Sequence, residues 1–177
     1  MRNDLGLIHI YTGNGKGKTT AALGLALRAR GDGLTVLVAQ LFKSKSSELK
    51  MLDKIGVDYL QYSSSHPVFK KYSKNELAQH AKGCTEFVKR AFEITRKKKY
   101  DLLILDEIGP ALAYNLVDAN ILIELIRRKP EHTELVLTGR GIPGKVIALA
   151  KQDYITEMNK KAHPYDRGIN ARRGIEF

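Results

Sequence analysis

The chain has 177 residues, 30 of them Lys or Arg and 19 Asp or Glu, for a formal net charge of +11, and 43% are hydrophobic. That length and balance fit one folded domain over 1–177 that buries about two-thirds of its unfolded surface, and no apolar run approaches the roughly 20 residues of a membrane helix. A single cysteine, Cys84, excludes an internal disulfide and a cysteine-rich metal site and suits a reducing cytoplasm.

From the N-terminus, MRNDLGLIHIY lacks the apolar stretch of a secretory signal, and GLIHIY (6–11) reads as a first strand. Further short apolar, β-branched runs follow at 34–40, 57–62, 102–106, 134–138 and 153–158. They read as strands, mostly buried on both faces. Between them lie helical patterns at about 18–30, 47–55, 75–98, 118–129 and 143–151. Alternating strand and helix predicts an α/β fold, a mostly parallel sheet flanked by helices. In 75–98, Leu77, Ala81, Cys84, Val88, Ala91 and Thr95 recur at steps of three and four as a stripe for packing on the sheet.

After the first strand comes TGNGKGKTTAA, in which Thr12, Gly13, Asn14, Gly15, Lys16 and Gly17 lead into Lys18, Thr19, Thr20 and a helix. This is the context of a P-loop. Glycines let successive N–H groups turn onto a phosphate, the helix N-terminus adds a positive dipole end, and Lys18 reads as an exposed loop cation. Thr19 would place a hydroxyl on Mg²⁺. The first position of GxxxxGK[ST] is Thr12, so the loop is a variant. The strand LLILDE ends in Asp106 and Glu107, and acids at the carboxyl end of a buried strand lie beside such a loop, where they can hold Mg²⁺. An N-capping or turn role is the bland alternative. ATP or GTP with Mg²⁺ follows, while a P-loop alone serves kinases, ATPases, GTPases and switches alike.

The excess charge is local. Residues 70–99 carry ten basic and three acidic residues, a net +7, and 159–177 add +3. Nucleic-acid binding is one reading of that charge. It ranks last, because on 75–98 the bases interleave with Glu76, Glu86 and Glu93 on a helix face without an aromatic stacking pattern. His9, His66, His80, His132 and His163 show no paired helical spacing for zinc.

Three stretches together resemble the P-loop type of the ATP:corrinoid adenosyltransferase family: YTGNGKGKTTAALGLALRARGDG at 11–33, LLILDEIGPAL with ELVLTGRG across 102–141, and DYITEMNKKAHPYDRGINARRGIEF at 153–177. The resemblance spans almost the whole chain. It implies a RecA-like sheet and transfer of the 5′-deoxyadenosyl group of ATP to the cobalt of a reduced corrinoid, giving adenosylcobalamin or a precursor and tripolyphosphate. It further implies a homodimer, a flavoprotein reductant, and ATP held reversed in the loop so that C5′ faces cobalt. By that resemblance Thr19 and Glu107 are metal ligands, Asp106 supports them, Lys18 meets the phosphates, and Arg140, in Thr138-Gly139-Arg140, lies near the triphosphate or at a subunit contact. Arg28, Glu48, Asp153, Thr156, Glu157 and the tail residues His163, Pro164, Tyr165, Asp166 and Gly168 match further family positions.

Two departures stand out. The first strand begins within about six residues of Met1, so an N-terminal lid over the corrinoid is expected to be missing or supplied otherwise. The Phe-x-Trp pair of some members is also absent, and Phe69 and Tyr72 are the aromatic residues of the equivalent region. Without the resemblance, the loop and LLILDE alone would equally suit a small kinase or another ATPase.

Overall fold

A computed structural model describes residues 4–43, 48–64, 66 and 72–175. Six strands form one sheet: β1 (Ile8–Thr12), β2 (Val36–Leu41), β3 (Asp58–Tyr62), β4 (Leu102–Asp106), β5 (Glu134–Thr138) and β6 (Tyr154–Glu157). The order across the sheet is β3-β2-β4-β5-β1-β6, and all five neighbouring pairs run parallel. The helices are α1 (Lys18–Gly31), α2 (Leu49–Lys54), α3 (Lys74–Lys98), α4 (Ile108–Ala113), α5 (Ala119–Arg127) and α6 (Gly144–Ile147). Two short 3₁₀ turns, Ala148–Ala150 and Pro164–Arg167, complete the described elements.

Burial on both faces holds at the centre of the sheet and fails at its edges. β2 and β4 are buried at every residue and β5 at its last four. The outer strand β3 is exposed at Asp58 and Tyr59, and all four residues of β6 are exposed. Helices explain the difference. Ile8, Ile10, Leu37, Leu103, Leu105, Leu135 and Leu137 face one layer that includes α3 and α5, while Val36, Val38, Leu102, Ile104 and Val136 face α1 and α2. Fully burying each such aliphatic side chain contributes about 1.5–3 kcal/mol. The apolar side chains that α1 buries against β2, β4 and β5 are the small Ala22, Ala26 and Ala29.

Two helical details differ from the expected pattern. The stripe of α3 is rotated: Leu77 is 41% exposed, and His80 and Phe92 join Cys84, Val88, Ala91 and Thr95 in the interior. A reciprocal capping box between Ser73 and Glu76 starts this helix, and Leu77 just after it meets solvent. The second detail is α4, which the sequence left unassigned because its six residues, IGPALA, contain a glycine and a proline. The charged residues of α3, Glu86, Lys89, Arg90, Glu93, Arg96 and Lys97, lie exposed as a solvated face.

Candidate functional site

Strand alternation builds the site. On β2, β4 and β5 every second residue meets α1, namely Val36 and Val38, Leu102 and Ile104, and Val136. Two residues further on in the same phase, at the carboxyl end of each strand, stand Gln40, Asp106 and Thr138, all at 0% exposure. Parallel pairing sets Gln40 opposite Asp106, and β5 carries Thr138 opposite Tyr11 just before the glycine-rich loop. Three polar side chains are thus delivered to the N-terminus of α1, and the crevice at the carboxyl ends of the strands is where an open α/β sheet binds ligands.

Asp106 is the hub. Its Oδ1 accepts from Thr138 Oγ1 at 2.7 Å and from Thr19 Oγ1 at 2.9 Å. Its Oδ2 accepts from Gln40 Nε2 at 3.2 Å and pairs with Lys43 Nζ at 2.9 Å. Gln61 Nε2 donates to Gln40 Oε1 at 3.1 Å and so fixes that amide. Four donors offset the several kcal/mol that burying a carboxylate costs. Burial pulls the Lys43 ammonium pKa down, but Asp106, then Glu48 and Glu107, outweigh that and hold it above the ordinary lysine value.

The adjacent acids part company. The pleat of β4 sends Asp106 inward toward α1, whereas Glu107 adopts a left-handed conformation, φ 61°, and turns to the mouth of the crevice. Its N–H donates to Thr138 Oγ1 at 3.0 Å, and its Oε2 lies 4.0 Å from His66 Nε2. The direct partner of Thr19 is therefore Asp106, and Glu107 is the next residue along the chain.

The loop itself closes on α1 through Gly17, φ 111°, and this N-cap residue provides no side-chain cap to the first turn of that helix. Its N–H groups and its dipole end face an approaching anion. Lys18 is 8% exposed rather than an exposed loop cation, because its Nζ folds back to donate to Gly13 O at 2.9 Å and Gly15 O at 2.6 Å. Burial, then the nearby Arg140 charge, lower its pKa, while Glu107 and Asp106 pull the other way. An anion in the loop would relieve both burdens.

The segment after β6 clamps the loop from outside. Met158 N–H donates to Thr12 O at 2.9 Å and Met158 O accepts from Gly15 N at 2.6 Å. A Cβ on Gly13 or Gly15 would stand 2.5 or 2.7 Å from that carbonyl, so both positions require glycine. Lys160 N donates to Asn14 Oδ1 at 2.8 Å, and Arg140 Nη2 to Asn14 O at 3.0 Å. Arg140 is thus brought to the loop, and beside it opens a hollow of about 440 Å³ edged by Thr12, Ile155 and Glu157. The Gly15 N–H, expected to point at phosphate, is taken by Met158.

Other expected residues fall elsewhere. Asp153 Oδ2 accepts from Ile8 N at 2.9 Å and fastens the start of β1, well away from the loop. Residues 161–175 are exposed apart from the partly buried His163 and Pro164. Arg28 and Thr20 are exposed on α1, and Lys16 and Asn14 are exposed in the loop. Glu48 Oε1 approaches Lys43 Nζ at 3.7 Å. Tyr72 donates to or accepts from His80 Nε2 at 3.0 Å in a ring cluster with Tyr62 and Phe42, while Phe69 lies outside the described residues. Sequence reasoning missed Gln40, Lys43, His66 and Met158. The signal for the first was available: a polar residue in the buried phase of an otherwise apolar strand.

Among the described residues, no three His, Cys, Asp or Glu side chains are grouped to hold a metal by themselves. A divalent ion here would draw on the Thr19 hydroxyl, a neighbouring carboxylate and phosphate oxygens, which suits a hard cation such as Mg²⁺. The structure offers a stand-in for such a cation, since the Lys43 ammonium lies against both Asp106 Oδ2 and Thr19 Oγ1, the latter at 3.3 Å.

Residues 4–177 match the sequence profile of the family described as ATP:corrinoid adenosyltransferase BtuR/CobO/CobP. Corrinoid adenosyltransferases of Escherichia coli (strain K12) and Salmonella typhimurium (strain LT2) are 30% and 31% identical over 178 residues, covering 99% of this chain and 88% of each relative. One from Sinorhizobium sp. is 32% identical over 99% of this chain and 82% of its own. Among solved structures, FlaH from Methanocaldococcus jannaschii aligns with a TM-score of 0.53 at 13% identity, over 86% of this chain and 70% of that one. A KaiC-like protein from Pyrococcus horikoshii OT3 gives 0.50 at 15%, over 90% and 75%. These two similarities concern the fold.

Proposed function

The chain belongs to the ATP:corrinoid adenosyltransferase family and is an enzyme of adenosylcobalamin synthesis; from that premise we propose that residues 12–20, Glu107 and Arg140 hold ATP with Mg²⁺ so that its C5′ is open to cobalt. One observation carries the site: Thr19, Asp106 and Thr138 form a hydrogen-bonded cluster at the uncapped N-terminus of α1. That cluster joins a hydroxyl, a carboxylate and a bank of N–H donors at one point, as a metal-bound polyphosphate requires.

The reaction is a displacement at carbon. The electron pair of the reduced corrinoid's cobalt forms a bond to C5′, the C5′–O bond breaks, and its electrons leave on the triphosphate oxygen. Cobalt is formally oxidised by two units and no proton moves, so no general base is called for. Negative charge grows on the leaving oxygen, and donors fixed in advance at that place lower the barrier. Lys18, buried in the loop, and the N–H groups of the α1 first turn supply such donors. Arg140 adds a cation at the rim, and the Gly13 and Gly15 backbone shapes the cradle. Thr19 and Glu107 would hold Mg²⁺, with Asp106 orienting the Thr19 hydroxyl. When bound, that ion supplies charge neutralisation on the triphosphate.

Family membership also supports a homodimer and a flavoprotein reductant. The outer edge of β6, which pairs with no further strand among the described residues and exposes Tyr154 and Ile155, is a surface for a second copy, and the +7 of residues 70–99 suits an acidic donor protein. A reducing cytoplasm is the proposed setting. Among the described residues no helix is long and apolar enough to cross a membrane.

Equilibrium binding of ATP tests the site. Lys18→Ala should weaken ATP whether or not Mg²⁺ is present. Thr19→Val and Glu107→Gln should weaken it by about 10–100-fold only in the presence of Mg²⁺. Unchanged affinity in all three variants would overturn the assignment.

A further inference from the structure

We propose that Lys43 is a tethered cation that occupies the metal's place beside Thr19 and Asp106 until a divalent ion arrives on a nucleotide, so that metal entry depends on ATP. The inference rests on the metal reading above and extends it to a residue that the motifs do not contain.

The geometry is specific. Lys43 Nζ lies 2.9 Å from Asp106 Oδ2, 3.3 Å from Thr19 Oγ1 and 3.7 Å from Glu48 Oε1. It therefore touches one proposed ligand and the carboxylate that orients that ligand. A divalent ion binding Thr19 would come within a few ångströms of the ammonium, where like charges in a partly dry crevice repel strongly. Both cannot stay.

The backbone is built to put Lys43 there. The preceding residue, Phe42, adopts a left-handed conformation, φ 58°, that a bulky side chain rarely takes. It is kept in place by a hydrogen bond from its N–H to Tyr62 O at 3.1 Å and by edge contacts of its ring with His66 and His80. The chain is turned at the end of β2, and the next side chain folds back over Asp106. Sparsely populated backbone conformations persist where the surroundings over-determine them, and they concentrate at functional sites.

Ordering follows from where the ammonium can go. A free metal ion must evict Lys43 from Asp106 and leaves it, among the described residues, the longer contact with Glu48 and the field of Glu107. A metal–nucleotide complex brings phosphate oxygens that can accept the displaced ammonium, so the exchange of partners is compensated. The same lysine then adds positive charge near the leaving triphosphate.

The test uses Mn²⁺ as the probe, with free Mn²⁺ measured by its electron paramagnetic resonance signal in titrations of the nucleotide-free protein. Lys43→Met should bind Mn²⁺ roughly tenfold or more tightly than wild type, and Lys43→Arg should match wild type. Should Lys43→Met fail to fold, Lys43→Gln keeps a donor to Asp106 without the charge and carries the same expectation. No gain in the neutral variants overturns the proposal, as does a wild-type protein that binds Mn²⁺ equally well with and without ATP. A parallel titration of Thr19→Val with Mn²⁺ and ATP separates the two ideas. If it loses the ternary complex while the Lys43 variants gain nothing, the ordering role fails alone; if it keeps the complex, the metal assignment itself is wrong.

Discussion

Asp106 and Glu134 show how single carboxylates carry stability in this protein. Asp106 has no exposure and four donors. Asp106→Asn removes the charge that Lys43 needs, and we expect a loss of about 3 kcal/mol in chemical denaturation, against a change near zero if the lysine simply turns to solvent. Glu134 sits at the opposite end of the strands. It accepts from Gly6 N at 2.7 Å, Leu7 N at 2.9 Å and His9 Nε2 at 2.6 Å. Burial would raise its pKa, but those bonds prevail and hold it below the usual carboxylate range. A carboxyl depressed in the folded state stabilises above its unfolded pKa of ~4.3, and that contribution is lost as pH falls through the folded value. Glu134→Gln should therefore cost about 1–2 kcal/mol near neutrality. Denaturation at a series of pH values should show the gap closing in acid, and a constant gap would contradict it. Both acids could be seen in the sequence, but only Asp106 could be read, because it followed an apolar strand and a P-loop. Glu134 opens a strand with no motif beside it. Lys18 was misjudged as exposed since nothing local reports that its own loop folds around it.

At the level of elements, the phosphate loop, α1 and β4 were legible because glycine spacing and apolar runs are local signals. Helix α4 was not. A tight contact between two segments of the chain holds it in place. Gly109, in its first turn, lies against Gly139 after β5, where a Cβ on Gly139 would lie 2.6 Å from Gly109 N and φ is +130°. Such contact pairs residues thirty positions apart, and no window of sequence contains it. Gly139→Ala should lower stability by about 2 kcal/mol and displace both Glu107 and Arg140, so ATP affinity should fall with it. A thermal melt and an ATP titration on the same sample check this, and stability lost with affinity intact would show that α4 does not position the site. The clamp of Met158 on Gly13 and Gly15 is of the same kind: an edge strand and its tail complete a loop at the other end of the chain.

Across the whole molecule, the strand order β3-β2-β4-β5-β1-β6 places the ends of β1, β5, β4 and β2 side by side. That is why Thr19, Thr138, Asp106 and Gln40 meet although they span most of the chain. Alternation of strand and helix predicted the class and the parallel sense, while the order, and with it the meeting of these four residues, needed the three-dimensional arrangement. The net charge of +11, which first suggested nucleic acid, resolves into a solvated face of α3, an exposed tail, and a few cations, Lys18, Lys43 and Arg140, gathered at the crevice. The central claim is that those cations serve a displacement at C5′ of ATP. Anaerobic incubation of the protein with MgATP and chemically reduced cobalamin, followed by quantification of products, addresses it directly. Adenosylcobalamin and intact tripolyphosphate in equal amounts are expected; ADP or orthophosphate with no cobalt–carbon bond would rule out displacement at C5′.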